Sequence, residues 1–386
     1  MYKRVLIEST IAEKIVCENN CLKSTPFSIK GINYLDIEKN SSSYEEYAEN
    51  QKLEFNNENL FLFIKEINKN KMLKTTLKYS HKTVHKDFLF TNGEEKQQKI
   101  YYNEFDIVVN SNQNPKKSFH SCVGQTNKLI TLEQMHEQYE LLLSQLSEDE
   151  CSYSIEDGLY DIILSPEVAS VFIHEIVGHM CEYDNNYNIN NVLNDETFEG
   201  LTVIDDPTYP YLWGSYEFDD EGSIGKKTVL LKNGKFVDYM NNVISAENLN
   251  SSHNGHARAI DFRYKPIIRM SNTFLLPGKT CFEEMVASIS NGVVALTSSG
   301  GMLKRNVFKL NVTSGIIIKN GNLTDRIEPF CIWGKVGDAL QKITSIGKST
   351  FICSGQGCYK QKQGPLPVSC SAPHIMIKKL LVTKNK

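Results

Sequence analysis

The sequence predicts an α+β protein. An N-terminal mixed α/β domain spans residues 1–150, and a β-rich, antiparallel C-terminal domain spans 151–386. Three observations lead there. Asn-Gly pairs between short apolar runs (Asn92-Gly93, Asn233-Gly234, Asn320-Gly321) mark hairpins with primed turns. An acidic break at Glu148–Glu150 separates a polar, Lys- and Asn-rich first part from a second part of different texture. From about residue 200 strand patterns dominate, with few helices between them.

In chain order, Leu60-Phe61-Leu62-Phe63-Ile64 is an apolar run of strand length. Asp87–Phe90 and Lys99–Tyr102 flank the first Asn-Gly turn, and Phe105–Val109 continues that meander. Asn110–Lys117 reads as a loop. Thr131 and Gln134 form a capping box, and Leu132, Met135, Tyr139, Leu142 and Leu146 follow at steps of three and four, so an amphipathic helix ends near Ser147. Leu159–Leu164 is a strand, and Ser165-Pro166-Glu167 opens a helix with Ser as N-cap and Pro at the first helical position. Hairpins follow at 229–237 and 316–323, with helices at 283–290 and 336–346.

Composition bounds the function. With 386 residues, 40% of them hydrophobic and 23% charged, the chain can build a sizeable core. A formal charge of −4 argues against a basic nucleic-acid footprint. No apolar stretch approaches the ~18 residues that span a bilayer, and Glu8 and Glu13 interrupt any signal-peptide core. A soluble, cytoplasmic protein with no nucleic-acid or membrane partner is expected. The ten cysteines are scattered through a long chain and read as reduced thiols.

The chemistry concentrates in the helix that Ser165 opens. It carries His174-Glu175-Ile176-Val177-Gly178-His179. Two imidazoles can bind a metal ion, and a Glu beside them can take a proton from an attacking water. The usual zincin spacing sets the histidines four apart, whereas here they are five apart. In an ideal helix that is about 500°, which leaves the rings roughly 140° apart. A π-type inserted residue near Gly178 would bring them together, as would a helix that stops at Gly178 and turns His179 inward. Otherwise this is a buried helix whose histidines bond to their neighbours. Spacing alone leaves these readings open.

A catalytic zinc needs a third protein ligand. Cys181 lies ~10 Å along the helix axis from His174, too far to share one ion. Cys353, Cys358, Cys370 and His374 are the C-terminal candidates, and Cys358 stands in the small-residue loop Ser354–Lys360, where backbone can approach closely. Other clusters carry bland readings. His253 and His256 read as surface histidines, Asp219-Asp220-Glu221 as a solvated turn, and Arg269 as a substrate contact or a structural ion pair. Ser298-Ser299-Gly300-Gly301 lacks the Lys of a phosphate loop.

His174–His179, followed by Glu182 and Asp184, resembles the His-Glu-x-x-x-His signature of the TldD/PmbA metallopeptidase family. The similarity runs on through Thr202–Pro207, Asp219–Gly222, Arg269–Gly278 and Cys358-Tyr359-Lys360, the last resembling the family's Cys-Gly-Lys stretch. It is strong over about 153–382 and weak before that. The resemblance implies a zinc peptidase of the TldD type, with His174, His179 and Cys358 as metal ligands and Glu175 as general base. It also implies a homodimer, or a heterodimer with a TldE/PmbA-like subunit, that degrades unfolded or flexible peptides in an enclosed cavity, some members trimming leader peptides. The alternatives are a non-catalytic TldE/PmbA-like partner subunit, or a thiol peptidase with Cys358 as nucleophile and His374 as base. The family's Gly after Cys is Tyr359 here, and the Lys360–Gly364 stretch carries one extra residue.

Overall fold

A computed structural model describes residues 3–18, 21–36, 41–47, 58–67, 73–111, 118–147, 152–185, 189, 192–193, 197–355 and 357–385. The first part is a six-stranded sheet in the spatial order 41–47, 21–36, 3–18, 73–90, 95–111, 118–126, with every neighbouring pair antiparallel. The Asn92-Gly93 turn joins Leu73–Phe90 to Glu95–Ser111, with Gly93 at φ +83°. Residues 112–117 of the expected loop lie outside the described residues, while Asn110 and Ser111 are still strand.

Two helices cover one face of this sheet, α1 (Glu58–Ile67) and α2 (Leu132–Ser147). The expected strand at 60–64 is therefore a helix. Leu60, Phe63, Ile64 and Ile67 are buried at helical spacing, while Phe61 and Leu62 are 45% and 50% exposed. A run of five apolar residues concealed a one-sided stripe. Phe63 anchors it, packing edge-on against Phe105 and Tyr139. α2 begins as expected, with Gln134 N donating to Thr131 Oγ1 and Thr131 N to Gln134 Oε1.

The second part is built on one large sheet, with two two-stranded sheets beside it. Its central strand, Ser369–Lys384, pairs with Gly158–Leu164, Phe330–Lys335, Ile343–Cys353 and Asn272–Leu275. Most pairs are antiparallel, but Asn272–Leu275 with Ser369–Lys384, Gly158–Leu164 with Asn291–Lys304, and Ser152–Tyr153 with Asn322–Ile327 are parallel, so the sheet is mixed. The hairpins at Asn233-Gly234 and Asn320-Gly321 form with all four residues at positive φ. The helix expected at 336–346 ends at Gln341, and Ile343 begins a strand.

Helix α3 (Pro166–Ile173) lies against this sheet, contacting its central strand. Ser165 caps it, its Oγ accepting from Val168 N at 3.3 Å and donating to Leu296 O at 2.6 Å. Val168, Ala169, Phe172 and Ile173 are fully buried, as are Ile176 and Val177 in the turn that follows. Glu167, Val171, His174 and Glu175, at helical spacing, face a cavity instead.

The first sheet buttresses the Cys358 loop. Gly124 and Gly355 meet so closely that a Cβ on Gly124 would stand 2.7 Å from Gly355 Cα. Gly124 N donates to Ser354 Oγ at 3.4 Å. Asp219, Asp220 and Glu221 belong to the same junction and are buried, correcting the solvated-turn reading. Arg4 donates to the Asp220 carbonyl, Lys86 bonds the Asp220 carboxylate, and Asp219 accepts from the backbone N–H of Glu221, Ser223 and Ala257. Of these partners, Arg4, Lys86 and Ala257 lie far away in sequence. Among the described residues, no helix is long and apolar enough to cross a membrane.

Candidate metal centre

Beyond Ile173 the helix does not continue as α. His174–Gly178 form one π turn, closed by His179 N–H donating to the His174 carbonyl, five residues back. The inserted residue cancels the angular mismatch that the five-residue spacing creates, and the two imidazole centroids stand 5.1 Å apart. Gly178 is where Met270 packs: a Cβ there would lie 2.0 Å from Met270 Sδ.

Cys358 reaches the same point from the other end of the chain. It sits in the hairpin Gly357–Lys360/Gln363–Pro367, turned by Gln361 and Lys362 at positive φ. Its Sγ is 3.5 Å from His179 Nε2. The ligating atoms of His174, His179 and Cys358 all lie within 4.8 Å of one another. Arg269, fully buried, holds this hairpin from behind, donating to the carbonyls of Cys358 (2.5 Å) and Gln363 (3.3 Å). Of its two expected roles, Arg269 therefore fills a structural one, bonding carbonyl oxygens.

The surroundings orient the ligands. Buried Glu182 accepts from His179 Nδ1 at 2.9 Å, which turns Nε2 toward Cys358. Asn185 Nδ2 donates to the same Glu182 oxygen at 2.7 Å, and Lys360 Nζ lies 3.2 Å from it, itself held by Asp184 and the Ile268 carbonyl. Burial works against the Glu182 carboxylate, yet the charges of His179 and Lys360 outweigh it and bring its pKa down to about 2. Burial likewise opposes the thiolate of Cys358, and the two imidazoles overcome it and hold that thiol well below its ordinary range. Reciprocally, and against burial, the Cys358 thiolate raises His174 to about 9. A thiolate is the ligating form of cysteine.

These groups open on a cavity of about 560 Å³, lined also by Glu167, Glu175, Ser298–Leu303, Cys353 and Cys370. One wall is a bulge in Asn291–Lys304, where the pairing slips between Ser298 and Gly301. Glu167 Oε1 accepts from Ser298 N at 3.0 Å and pins that bulge. A Cβ on Gly301 would meet Glu175 Cγ at 3.0 Å, so a glycine there leaves room for the Glu175 stem.

Of the other candidates, Cys353 and Cys370 stand in the cavity wall outside the His174–His179–Cys358 cluster, and the rest fall elsewhere. Cys181 is buried in the core. The His374 ring lies on Phe282, centroids 4.6 Å apart, and is not in the cavity wall. His256 is fully buried, not a surface residue, with Nε2 on Asp205 at 3.0 Å and Nδ1 on Asn254 at 2.9 Å. Asp205 also accepts from Ser271 N and Thr273 Oγ1. Sequence reasoning assigned no role to Glu182, Asn185 or Lys360, and only the carboxylate three residues after His179 was a usable signal.

The donors suit a metal ion. Two imidazoles and a thiolate are a borderline-soft set of the kind zinc takes, and buried His174 Nδ1 has no hydrogen-bond partner among the described residues.

Residues 157–384 match the family model of the PmbA/TldA metallopeptidase C-terminal domain. A metalloprotease of Methanocaldococcus jannaschii is 36% identical over 213 residues, 53% of this chain and 47% of that protein. A zinc metalloprotease TldD homolog of Saccharolobus solfataricus is 30% identical over 234 residues, 58% of this chain and 52% of that protein. The chain spans about half the length of the curated relatives it matches. In fold it is similar to the crystal structure of TldE from Thermococcus kodakarensis, with a TM-score of 0.75 over 99% of this chain and 96% of that one, at 15% identity. At that identity the likeness is one of fold alone. A family match over more than half of the chain, together with these relatives, establishes that the chain belongs to the PmbA/TldD family.

Proposed function

We propose that this chain is a zinc metallopeptidase that hydrolyses peptide bonds in unfolded or flexible peptides, including leader or modified peptides. One observation carries the reading: His174, His179 and Cys358 meet within 4.8 Å of one another, and Glu175 opens on the same cavity. His174, His179 and Cys358 would hold the ion. When bound, zinc would polarise a peptide carbonyl and favour the ionisation of water. Glu175 takes the proton from the attacking water and passes it to the leaving amine. Glu182 fixes the His179 ring through Nδ1, and Arg269 fixes the Cys358 backbone.

The first 150 residues serve as a separate domain that closes over the Cys358 loop. The working form is a cytoplasmic dimer, of this chain with itself or with a TldE/PmbA-like subunit, whose enclosed site admits extended peptides. An intact Glu175 disfavours a non-catalytic partner. His374 on Phe282, outside the cavity wall, disfavours a Cys358–His374 thiol peptidase.

Metal analysis of the purified protein should find about one zinc per chain, and a chelator should abolish digestion of an unfolded peptide library. Glu175→Gln should keep zinc and fold while losing about 10²–10⁴-fold in turnover. Full activity in that variant would remove Glu175 from the mechanism. Full activity in a metal-free sample would remove zinc.

A further inference from the structure

Two thiols stand in the wall of the same cavity and take no part in the chemistry proposed above. Cys353 ends the strand Ile343–Cys353, Cys370 lies at the start of Ser369–Lys384, and the antiparallel register sets them directly opposite each other. Directly opposed residues present their side chains on one sheet face, with Cα atoms about 4.5–5.5 Å apart. That lies within the range of about 4.4–6.8 Å that a disulfide spans. Both are half-buried free thiols, and both line the cavity. A small oxidant that enters the cavity meets both. The segment between them, 354–369, carries Cys358 and Lys360.

We infer that Cys353 and Cys370 form a redox-active dithiol, a modification site that hydrogen peroxide converts to an intrachain disulfide in the cavity wall. The chemistry balances in two steps. One sulfur attacks peroxide, gaining an oxygen to become a sulfenic acid, and water leaves. The second thiol attacks that sulfur, the S–S bond forms, and the oxygen departs as a second water. Two thiols supply two electrons and two protons, and the peroxide takes them up. The bond closes 354–369 into a ring and restricts its open states, so the segment that carries Cys358 stiffens. Only the consequence for turnover rests on the peptidase reading.

The test treats the whole protein with hydrogen peroxide at neutral pH, alkylates it, and maps its cysteines by mass spectrometry without reductant. A Cys353–Cys370 linked peptide is expected, lost on adding dithiothreitol, with amide exchange across 354–369 slowed several-fold while the bond is present. Both thiols remaining reduced, both advancing to sulfinic acids, or a bond to Cys358 instead would each overturn the assignment. Phenylarsine oxide, which binds two adjacent thiols with loss of one water, provides a second readout. One equivalent should bind the wild type and Cys358→Ser, and none should bind Cys353→Ser or Cys370→Ser. Absence of capture by the wild type overturns the pairing whether or not the variants fold. Peptide turnover on the same samples separates the two proposals: a linked peptide in a protein that hydrolyses nothing leaves the dithiol standing and removes the peptidase.

Discussion

Gly178→Ala tests the packing behind the π turn. The backbone at 178 is right-handed helical (φ −54°, ψ −61°), so alanine meets no torsional obstacle and gains about 1 kcal/mol of helix propensity. The obstacle is Met270. A Cβ would stand 2.0 Å from its Sδ, 3.1 Å from its Cε and 3.3 Å from its Cγ, where comfortable contact is about 3.5–4.0 Å. The sulfur must retreat by about 1.5–2 Å to restore that contact. A methionine side chain is adaptable, but Met270 is fully buried and its carbonyl accepts from Arg258 Nη1 at 2.6 Å. Overpacking costs about 1–3 kcal/mol, so the net destabilisation is about 0–2 kcal/mol after the propensity gain. If the turn escapes by relaxing to a regular α-helix, His179 swings away from His174 and metal affinity falls. Urea unfolding of the wild type, Gly178→Ala, Met270→Ala and the double variant, all with chelator, gives the coupling directly. The double variant should be at least about 1 kcal/mol more stable than the sum of the single effects. A Gly178→Ala protein more stable than wild type, or strict additivity, would refute the argument.

Two further outcomes follow from the electrostatics. In the metal-free site His174, raised to about 9, and His179, raised well above its ordinary value, hold protons at pH 7 while Cys358 is already a thiolate. Zinc binding at pH 7 should therefore release about two protons, from the imidazoles, measurable by calorimetry in buffers of different ionisation enthalpy; zero would contradict the assigned protonation. Glu182, brought down to about 2 from 4.5, stabilises the fold fully above about 4.5 and loses that contribution as pH falls toward 2, about 3 kcal/mol in all. Glu182→Gln should lack this part of the acid dependence in unfolding experiments, and parallel pH curves for the two proteins would argue against a buried, charged Glu182.

Much of the local structure was legible because its causes are local. The Asn-Gly turns, the Thr131–Gln134 capping box and the Ser165-Pro166 helix start each follow from residues within one turn of one another. The run at 60–64 was misread for a matching reason: five apolar residues carry no period, and the side that faces inward was settled by the sheet residue Phe105 and by α2. From sequence, Asp219–Glu221 and His256 read as exposed because polar residues usually are. Their partners, Arg4, Lys86 and Asp205, lie tens to hundreds of residues away.

The same division runs through the site. The sequence by itself determined its chemical inventory: His174, Glu175 and His179 on one helix, a distant Cys358 in a small-residue loop, and a spacing that demands a distorted helix. It left open whether that distortion is a π turn or a helix end, and which of several thiols joins the histidines. Tertiary packing decided both. Met270 occupies the space beside Gly178, while Arg269 and the first sheet hold the Cys358 loop so that its thiolate stands beside two imidazoles. The physical reason is range. Hydrogen bonds along one turn are encoded by neighbours, whereas the position of a sulfur 179 residues from its partner depends on how the first sheet and Arg269 hold a distant loop.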